Sequence, residues 1–485
     1  MTWPGVLFWI LLIIGVFTRG PFLLYLFFAF GPFMALAMIP NESVGVNLVA
    51  QSVCAVFLIC KMVLFNGQLR LAFDTAIDPA RLGLLFIFLI YGYFTAYVMP
   101  RLFSHLVEVI PINANVPWAV PLEPTSANFT QPAYMTLSIG MALAFYLAGG
   151  NASFRRHFLQ AVLVGSFVLI GTGLVDIVFS AVGLGDTLDV FRNAKYGLLV
   201  NVEMAGARRV VGLTPEASSF GSACVGAAAS LAFLRPCFDN PFWRDRLVPV
   251  AIFGSIAMAA LSTSSTAYVG LAIFGLVYGG NWLRRALSPD APARESLKWE
   301  AGLVLAATFM LVAVIVLAPN MLDSVYEMID QTIFKKTESD SYAERSMWTR
   351  VGMEALYTTG GLGVGLGSER TSNWYVGILC NTGIIGSALL AWFIVRLYIQ
   401  RCRGDRLMAE FATALKFSLL PGFVMGALAG TTPDLGVGVG ATLGLIASLI
   451  AMDRSRPELG LAAQASASNR AGLSRGVGGL DNAWE

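Results

Sequence analysis

The stretch Phe158-Leu-Gln-Ala-Val-Leu-Val-Gly-Ser-Phe-Val-Leu-Ile-Gly-Thr-Gly-Leu-Val-Asp176-Ile-Val-Phe-Ser-Ala-Val182 decides the fold class. It holds one ionisable side chain, Asp176, and is longer than the roughly 20 apolar residues that a bilayer-spanning helix needs. The rest of the chain has the same character. Hydrophobic types make up 56% of the 485 residues and charged types 13%, about half the share of a soluble globular chain. Mean hydropathy is +0.69. Such an excess of apolar surface does not fit into soluble cores, which stop growing near ~250–300 residues. A soluble enzyme, a disordered scaffold and a nucleic-acid binder are thereby excluded. An all-α polytopic membrane bundle is expected, with the bilayer as solvent.

Working outward, candidate spans fall at 5–17, 21–39, 45–65, 82–99, 132–149, 158–182, 217–234, 247–262, 266–282, 301–318, 375–397, 412–430 and 436–452, about 12–13 in all. Whether the first two both cross stays open, because only Thr18-Arg19-Gly20-Pro21 joins them. Met1–Thr18 lacks a basic region and a small-residue cleavage site, so it reads as a retained helix. Residues 1–452 are expected to form one membrane domain, and 453–485, rich in Ala, Ser and Gly, a disordered tail.

Lys and Arg set the orientation. They crowd the short loops, as Arg155 and Arg156, Arg235, Arg244 and Arg246, Arg284 and Arg285, and Arg401, Arg403 and Arg406. The alternate loops 100–131, 183–216 and 319–374 are longer and more sparsely basic. The short set and the tail are therefore expected in the cytoplasm, and the long loops outside. Six cysteines form no Cys-x-x-Cys pair and neither histidine sits near a metal-type ligand, so neither a disulfide framework nor a metal or haem site is expected.

Connections of such length are usually functional. In loop 100–131, His105 can act as a base or sit at headgroup level. Loop 183–216 ends in Arg208-Arg209-Val-Val-Gly212-Leu-Thr-Pro215-Glu216, with Glu216 in the first turn of the next span. Two adjacent arginines there can bind lipid headgroups nonspecifically or grip a diphosphate. Loop 319–374 holds three pieces. Leu322–Lys336 has the apolar spacing of a helix lying on the membrane face. Ser341 and Glu344 have capping-box spacing, which starts a helix carrying Arg345 and Trp348 on one face. The glycine run Thr359–Gly367 lacks a P-loop ending, and reads as a hinge or as backbone that closely approaches a phosphate or sugar. Asp176 is an intramembrane acid by position, hence a functional candidate. The turn Ser262–Thr266 presents five hydroxyls that cap two helices or bind a sugar or phosphate.

Taken together, Arg209-x-x-Gly212-x-x-x-Glu216-x-Ser218, the hydroxyl turn, Arg345-x-x-Trp348 followed by Gly361-x-Gly363-x-Gly365, and Asn373 followed by Gly383-Ile-Ile-Gly386 resemble the O-antigen polymerase and O-antigen ligase superfamily of bacterial envelope glycosyltransferases. The likeness covers residues 205–390 in order and sidedness. It implies a GT-C-like fold in the inner membrane, no metal or nucleotide cofactor, and a periplasmic site for undecaprenyl-diphosphate-linked oligosaccharide. It also implies a chain-length regulator as partner. Arg209 and Arg345 would hold the diphosphate and Glu216 would serve the acceptor. Arg208, Trp348, Arg350, Ser264, Ser265 and Asn373 would bind substrate. Ligases of this superfamily carry a histidine where this chain has Ser372, so the resemblance points to a repeat-unit polymerase. A ligase is the alternative, and a lipid-linked-sugar flippase the alternative from another class.

Overall fold

The computed structural model describes all residues except 1, 40–47, 66, 113–115, 117, 195–202, 205–206, 288–296, 299, 302–339, 403–404 and 470–485. The expected span 301–318 and the helix Leu322–Lys336 lie outside the described residues. Helices dominate: α1 (Trp3–Phe17), α2 (Phe22–Ala29), α3 (Ala50–Cys60), α4 (Leu69–Ile77), α5 (Gly83–Leu102), α6 (Ala127–Ala148), α7 (Ala152–Ala181), α8 (Ala217–Leu234), α9 (Val248–Leu261), α10 (Ser265–Ala286), α11 (Asp340–Thr358), α12 (Trp374–Ile399), α13 (Arg406–Ala429) and α14 (Val437–Asn469). Three small antiparallel hairpins complete the described structure: β1 (Ala37–Ile39) with β2 (Leu48–Val49), β3 (Glu108–Val109) with β4 (Val120–Pro121), and β5 (Glu203–Met204) with β6 (Ala207–Arg208).

Among the described residues, six helices are long and apolar enough to cross a membrane: α5, α7, α8, α12, α13 and α14. The bent pair Ala50–Leu64 and Leu69–Ile77, turning by 103°, is a seventh if it counts as one span. This is fewer than the 12–13 read from apolar runs. One expected span, 301–318, lies outside the described residues; α6 and α10, of 22 residues each, are long enough but not among the six, and other runs are broken into pieces. The first two become helices of 15 and 8 residues, and α9 has 14 residues continued backward by a π turn over Trp243–Leu247. At the other end of the chain, α14 runs to Asn469, past the residue where the tail was expected to begin.

The helix ends sort into two sets. At the basic end, Arg396 of α12 donates to the carbonyls of Pro79 and Arg81, next to the start of α5. At the end carrying the long loops, Asn128 donates to the Leu366 carbonyl (3.1 Å) and Trp374 to that of Asp434 (2.9 Å). Close helix contact comes from glycine, as in α14 against α6. A Cβ on Gly440 or Gly444 would sit 2.0 Å from the Ser138 or Ala142 carbonyl oxygen.

The glycine run corrects its reading. It is neither a hinge nor a ligand-facing loop, because it threads between helices. Gly361, Gly363, Gly365 and Gly367 all have φ between 82° and 98°. A Cβ on Gly367 would lie 2.3 Å from the Ala127 oxygen, and one on Gly365 2.6 Å from the Thr95 oxygen. The run enters a break in α12, where Gly383 has φ 66°. There Val364 N–H donates to the Cys380 carbonyl (2.8 Å) and Ile384 N–H to the Gly361 carbonyl (2.9 Å). Asn381 then accepts from the N–H groups of Gly367, Ser368 and Glu369 with one amide oxygen. This fixes where the following residues, Glu369 and Arg370, can reach.

Candidate active site

The segment 208–216 is held by a buried acid. Asp176, 2% exposed at the outer part of α7, accepts from Val211 N–H (2.9 Å), Gly212 N–H (3.0 Å) and Arg208 Nη2 (3.2 Å). Arg192 Nη2 lies 3.7 Å from the same carboxylate and donates to the Gly212 carbonyl at 2.8 Å. Gly212 needs its left-handed φ of 57°, and a Cβ there would meet the Phe220 ring at 2.8 Å. Asp176 thus serves as the anchor of the loop; all its described partners are protein groups.

The anchor separates Arg208 from Arg209. Backbone next to the β5–β6 hairpin is extended, and successive side chains of extended chain point to opposite sides. Arg208 turns to Asp176. Arg209 turns to the Ser262 turn, where its Nε donates to the Ser262 carbonyl (3.4 Å). The expected joint grip of both arginines on one ligand is therefore corrected: Arg208 is already ion-paired on the far side.

Around Arg209 the charges converge. Burial pulls its guanidinium below the usual arginine value, Glu216 and Tyr268 pull it back up, and Arg345 adds repulsion. Glu216 caps the start of α8 by position and accepts a hydrogen bond from the Ser218 hydroxyl. Arg345 lies in the first turns of α11, with its carbonyl accepting from Thr349 (3.1 Å) and Ser372 (3.0 Å). Ser372, where the resemblance has a histidine in ligases, therefore fastens the loop before α12 to the Arg345 turn.

One member of the cluster was not among the expected site residues. Arg370 follows the glycine run, and its N–H donates to the Ile110 carbonyl at 2.7 Å. Its guanidinium lies 4.1 Å from the centre of the Trp348 ring, a cation–π arrangement. Burial again lowers its value, Glu344 and Glu216 oppose that, and Arg345 adds to it. Arginine stays cationic in proteins. Arg209, Arg345 and Arg370 thus feel one another's or Glu216's field at one end of the bundle. No local spacing links Arg370 to Trp348 in the sequence; the glycine ribbon brings them together.

Other expectations need correction. Trp348 is 6% exposed and packs with Ile110 and Val351, so its ring serves Arg370 as a platform and is not open to a sugar. Arg350 is exposed and pairs with exposed Glu354 at 3.8 Å; a five-residue step carries it about 140° around α11 from Arg345. Asn373 spends its amide oxygen on capping α12, accepting from Tyr375 and Val376 N–H. Ser264 is buried at the start of α10, and Ser265 is the first residue of that helix. The turn meets Arg209 through the Ser262 carbonyl, while the Ser262 hydroxyl binds the Ala259 carbonyl. Thr263 between them holds a left-handed φ of 46°, strain of a kind that gathers at functional sites. His105 is exposed, 3.4 Å from Glu123.

Glu369, beside Arg370, is wholly buried. Its Oε2 accepts from Ile110 N–H (3.0 Å), and its Oε1 has no partner among the described residues. Burial holds this carboxyl well above the usual range, opposed by the Ile110 hydrogen bond. Glu369 and Arg370 together clamp the backbone of Ile110, which fixes Arg370 on Trp348.

Among the described residues, three cations against the carboxylates of Glu216 and Glu344 leave an excess positive charge in a partly desolvated place. Such a place suits an anion with several oxygens, because guanidinium forks match phosphate geometry. A comparison with protein-family models finds none that matches the chain, and a comparison with curated proteins finds no match either.

Proposed function

We propose that this chain is an inner-membrane polymerase of undecaprenyl-diphosphate-linked oligosaccharide repeat units, a metal-independent glycosyltransferase with a GT-C-like bundle of 12–13 spans. Its long loops face the periplasm and its tail faces the cytoplasm. The observation that carries the reading is that Arg209 and Arg370 each lie within electrostatic reach of Arg345 and Glu216, with Arg370 stacked on Trp348, three residues along α11 from Arg345. The acceptor hydroxyl oxygen forms a bond to the anomeric carbon of the donor. The bond from that carbon to the diphosphate breaks, and the electron pair leaves with the diphosphate. The three guanidinium groups stabilise that growing negative charge. Glu216 takes the acceptor proton, with its carboxylate oriented by the Ser218 hydroxyl. A chain-length regulator is the expected protein partner.

The test is polymer length on gels from cells carrying Arg209→Ala or Arg345→Ala. Loss of long chains in each is expected. Unchanged long-chain polymer in both refutes the reading. Gene deletion separates it from a ligase, since loss of a polymerase leaves single repeat units attached and loss of a ligase leaves long lipid-linked polymer unattached.

A further inference from the structure

Behind the Asp176 anchor lies a polar cavity of about 240 Å³, lined by Ser180, Gly183, Gly185, Asp186, Asp189, Arg192 and Arg208. This is below the ~300–1,000 Å³ of sites for drug-sized ligands and about eight times the ~30 Å³ share of one water. The volume suits a single small ring. The chemistry of the wall narrows the class. Arg192 is paired with Asp189 at 3.2 Å and Arg208 with Asp176 at 3.2 Å. A phosphate would have to compete with carboxylates already in place. A metal cation would face two guanidinium groups.

A ring bearing hydroxyls meets neither penalty, because each hydroxyl both donates and accepts. It finds carboxylate acceptors in Asp186 and Asp189 and donors on the arginines. The Arg192 side chain is 2% exposed, and its Nε is a buried donor without a partner among the described residues. From the cavity's size and from the pairing of carboxylates and guanidinium groups in its wall, we infer that it holds one uncharged sugar ring of the glycan, a subsite behind the loop whose front carries Arg209. The inference rests on the reading of the substrate as a lipid-linked glycan.

Gly185 offers the test. It has no positive φ. A Cβ there would meet Ser180 Oγ and Arg208 Nη1 at 3.8 Å, ordinary contact. A larger side chain can therefore enter the cavity without displacing backbone. The probe is the phosphate-free repeat-unit oligosaccharide released by mild acid from the producing strain's lipid-linked pool. It is titrated calorimetrically into the full-length chain in lipid nanodiscs. Wild type and Gly185→Ala are expected to bind alike, and Gly185→Leu to bind about tenfold more weakly or worse, with inorganic diphosphate failing to compete. Thermal unfolding checks that Gly185→Leu is folded, and Asp186→Asn serves as the second variant, with weaker binding expected and no added bulk. No binding by wild type, equal binding by both variants, or competition by diphosphate overturns the inference. If Arg209→Ala and Arg345→Ala stop polymerisation while Gly185→Leu binds normally, the cavity inference alone fails. If those two variants polymerise normally while Gly185→Leu loses the sugar, the polymerase reading fails and the sugar site stands.

Discussion

Arg208 and Arg209 are neighbours in the chain and opposites in the structure. Behind the loop, Arg208 and Arg192 are matched by the carboxylates of Asp176 and Asp189. In front, among the described residues, Arg209, Arg345 and Arg370 outnumber Glu216 and Glu344. Both places are rich in arginine, so residue type does not separate them. What separates them is whether the protein already supplies the counter-charge. A matched guanidinium is a fastener or a neutral hydrogen-bond donor, whereas an excess guanidinium in a half-buried place asks for an anionic ligand.

The largest effect expected from breaking this comparison comes from its pivot. Asp176→Ala removes the acceptor of three hydrogen bonds and leaves Arg192 buried beside a lost charge. Breaking one side of a buried ion pair costs about 3–5 kcal/mol. Thermal unfolding in detergent should show a clearly lowered midpoint together with loss of both faces, and an unchanged midpoint would show that the anchor is dispensable.

A smaller effect, confined to the front, is expected from the ribbon that carries Arg370. Gly367→Ala drives a Cβ to 2.3 Å from the Ala127 oxygen at a φ of 98°. Strain and overpacking there should cost ~2–4 kcal/mol. Gly360→Ala, at φ 61° with open space around it, should cost only about 1–2 kcal/mol. Equal midpoints for the two variants would mean that the ribbon is not packed as described.

Next comes pH. The folded state keeps the Glu369 carboxyl protonated above its ordinary value of 4.5, so the folded chain binds a proton that the unfolded chain has released. The associated stability is full below about pH 4.5 and declines as pH rises toward the raised folded value. Glu369→Gln should flatten that decline, which unfolding midpoints measured from pH 4 to 9 will display; parallel curves for the two proteins would remove Glu369 from the account. The smallest effect is expected for Arg350→Ala. Its pair with Glu354 is exposed on both sides, so stability should move by less than about 0.5 kcal/mol, with polymer length unchanged on gels.

The parts of this arrangement readable from sequence were the local ones. Arg209 and Glu216 flank one span, and Arg345 follows a helix-start signal, so each could be singled out without distant partners. A helix over Asp340–Thr358 does carry Arg345 and Trp348, with Ser341 already inside it and the residues before Asp340 outside the described ones. The divergence of Arg208 and Arg209 needed only the alternation of extended chain, once that chain was known to be extended. Arg370 was out of reach, because its position depends on glycines threading between α5, α6 and the break in α12. Asp176 could be marked as an unusual acid, but its partners lie in a loop beyond the end of its helix. The expected spans and the described helices differ for a similar reason: hydropathy sees apolar runs and not the turns, such as the one between α1 and α2, that divide them.

The claim that three arginines share one anionic ligand can be tested without knowing the sugar. Farnesyl diphosphate, titrated into the purified chain and into Arg209→Ala, Arg345→Ala, Arg370→Ala and the Arg209→Ala/Arg345→Ala double variant, reads the front face alone. A loss of about tenfold or more is expected for each single variant, with the double variant departing from additivity because both side chains serve one headgroup, while Arg350→Ala binds as wild type. Wild-type affinity in both Arg209→Ala and Arg345→Ala, or strictly additive losses from independent sites, would contradict the claim.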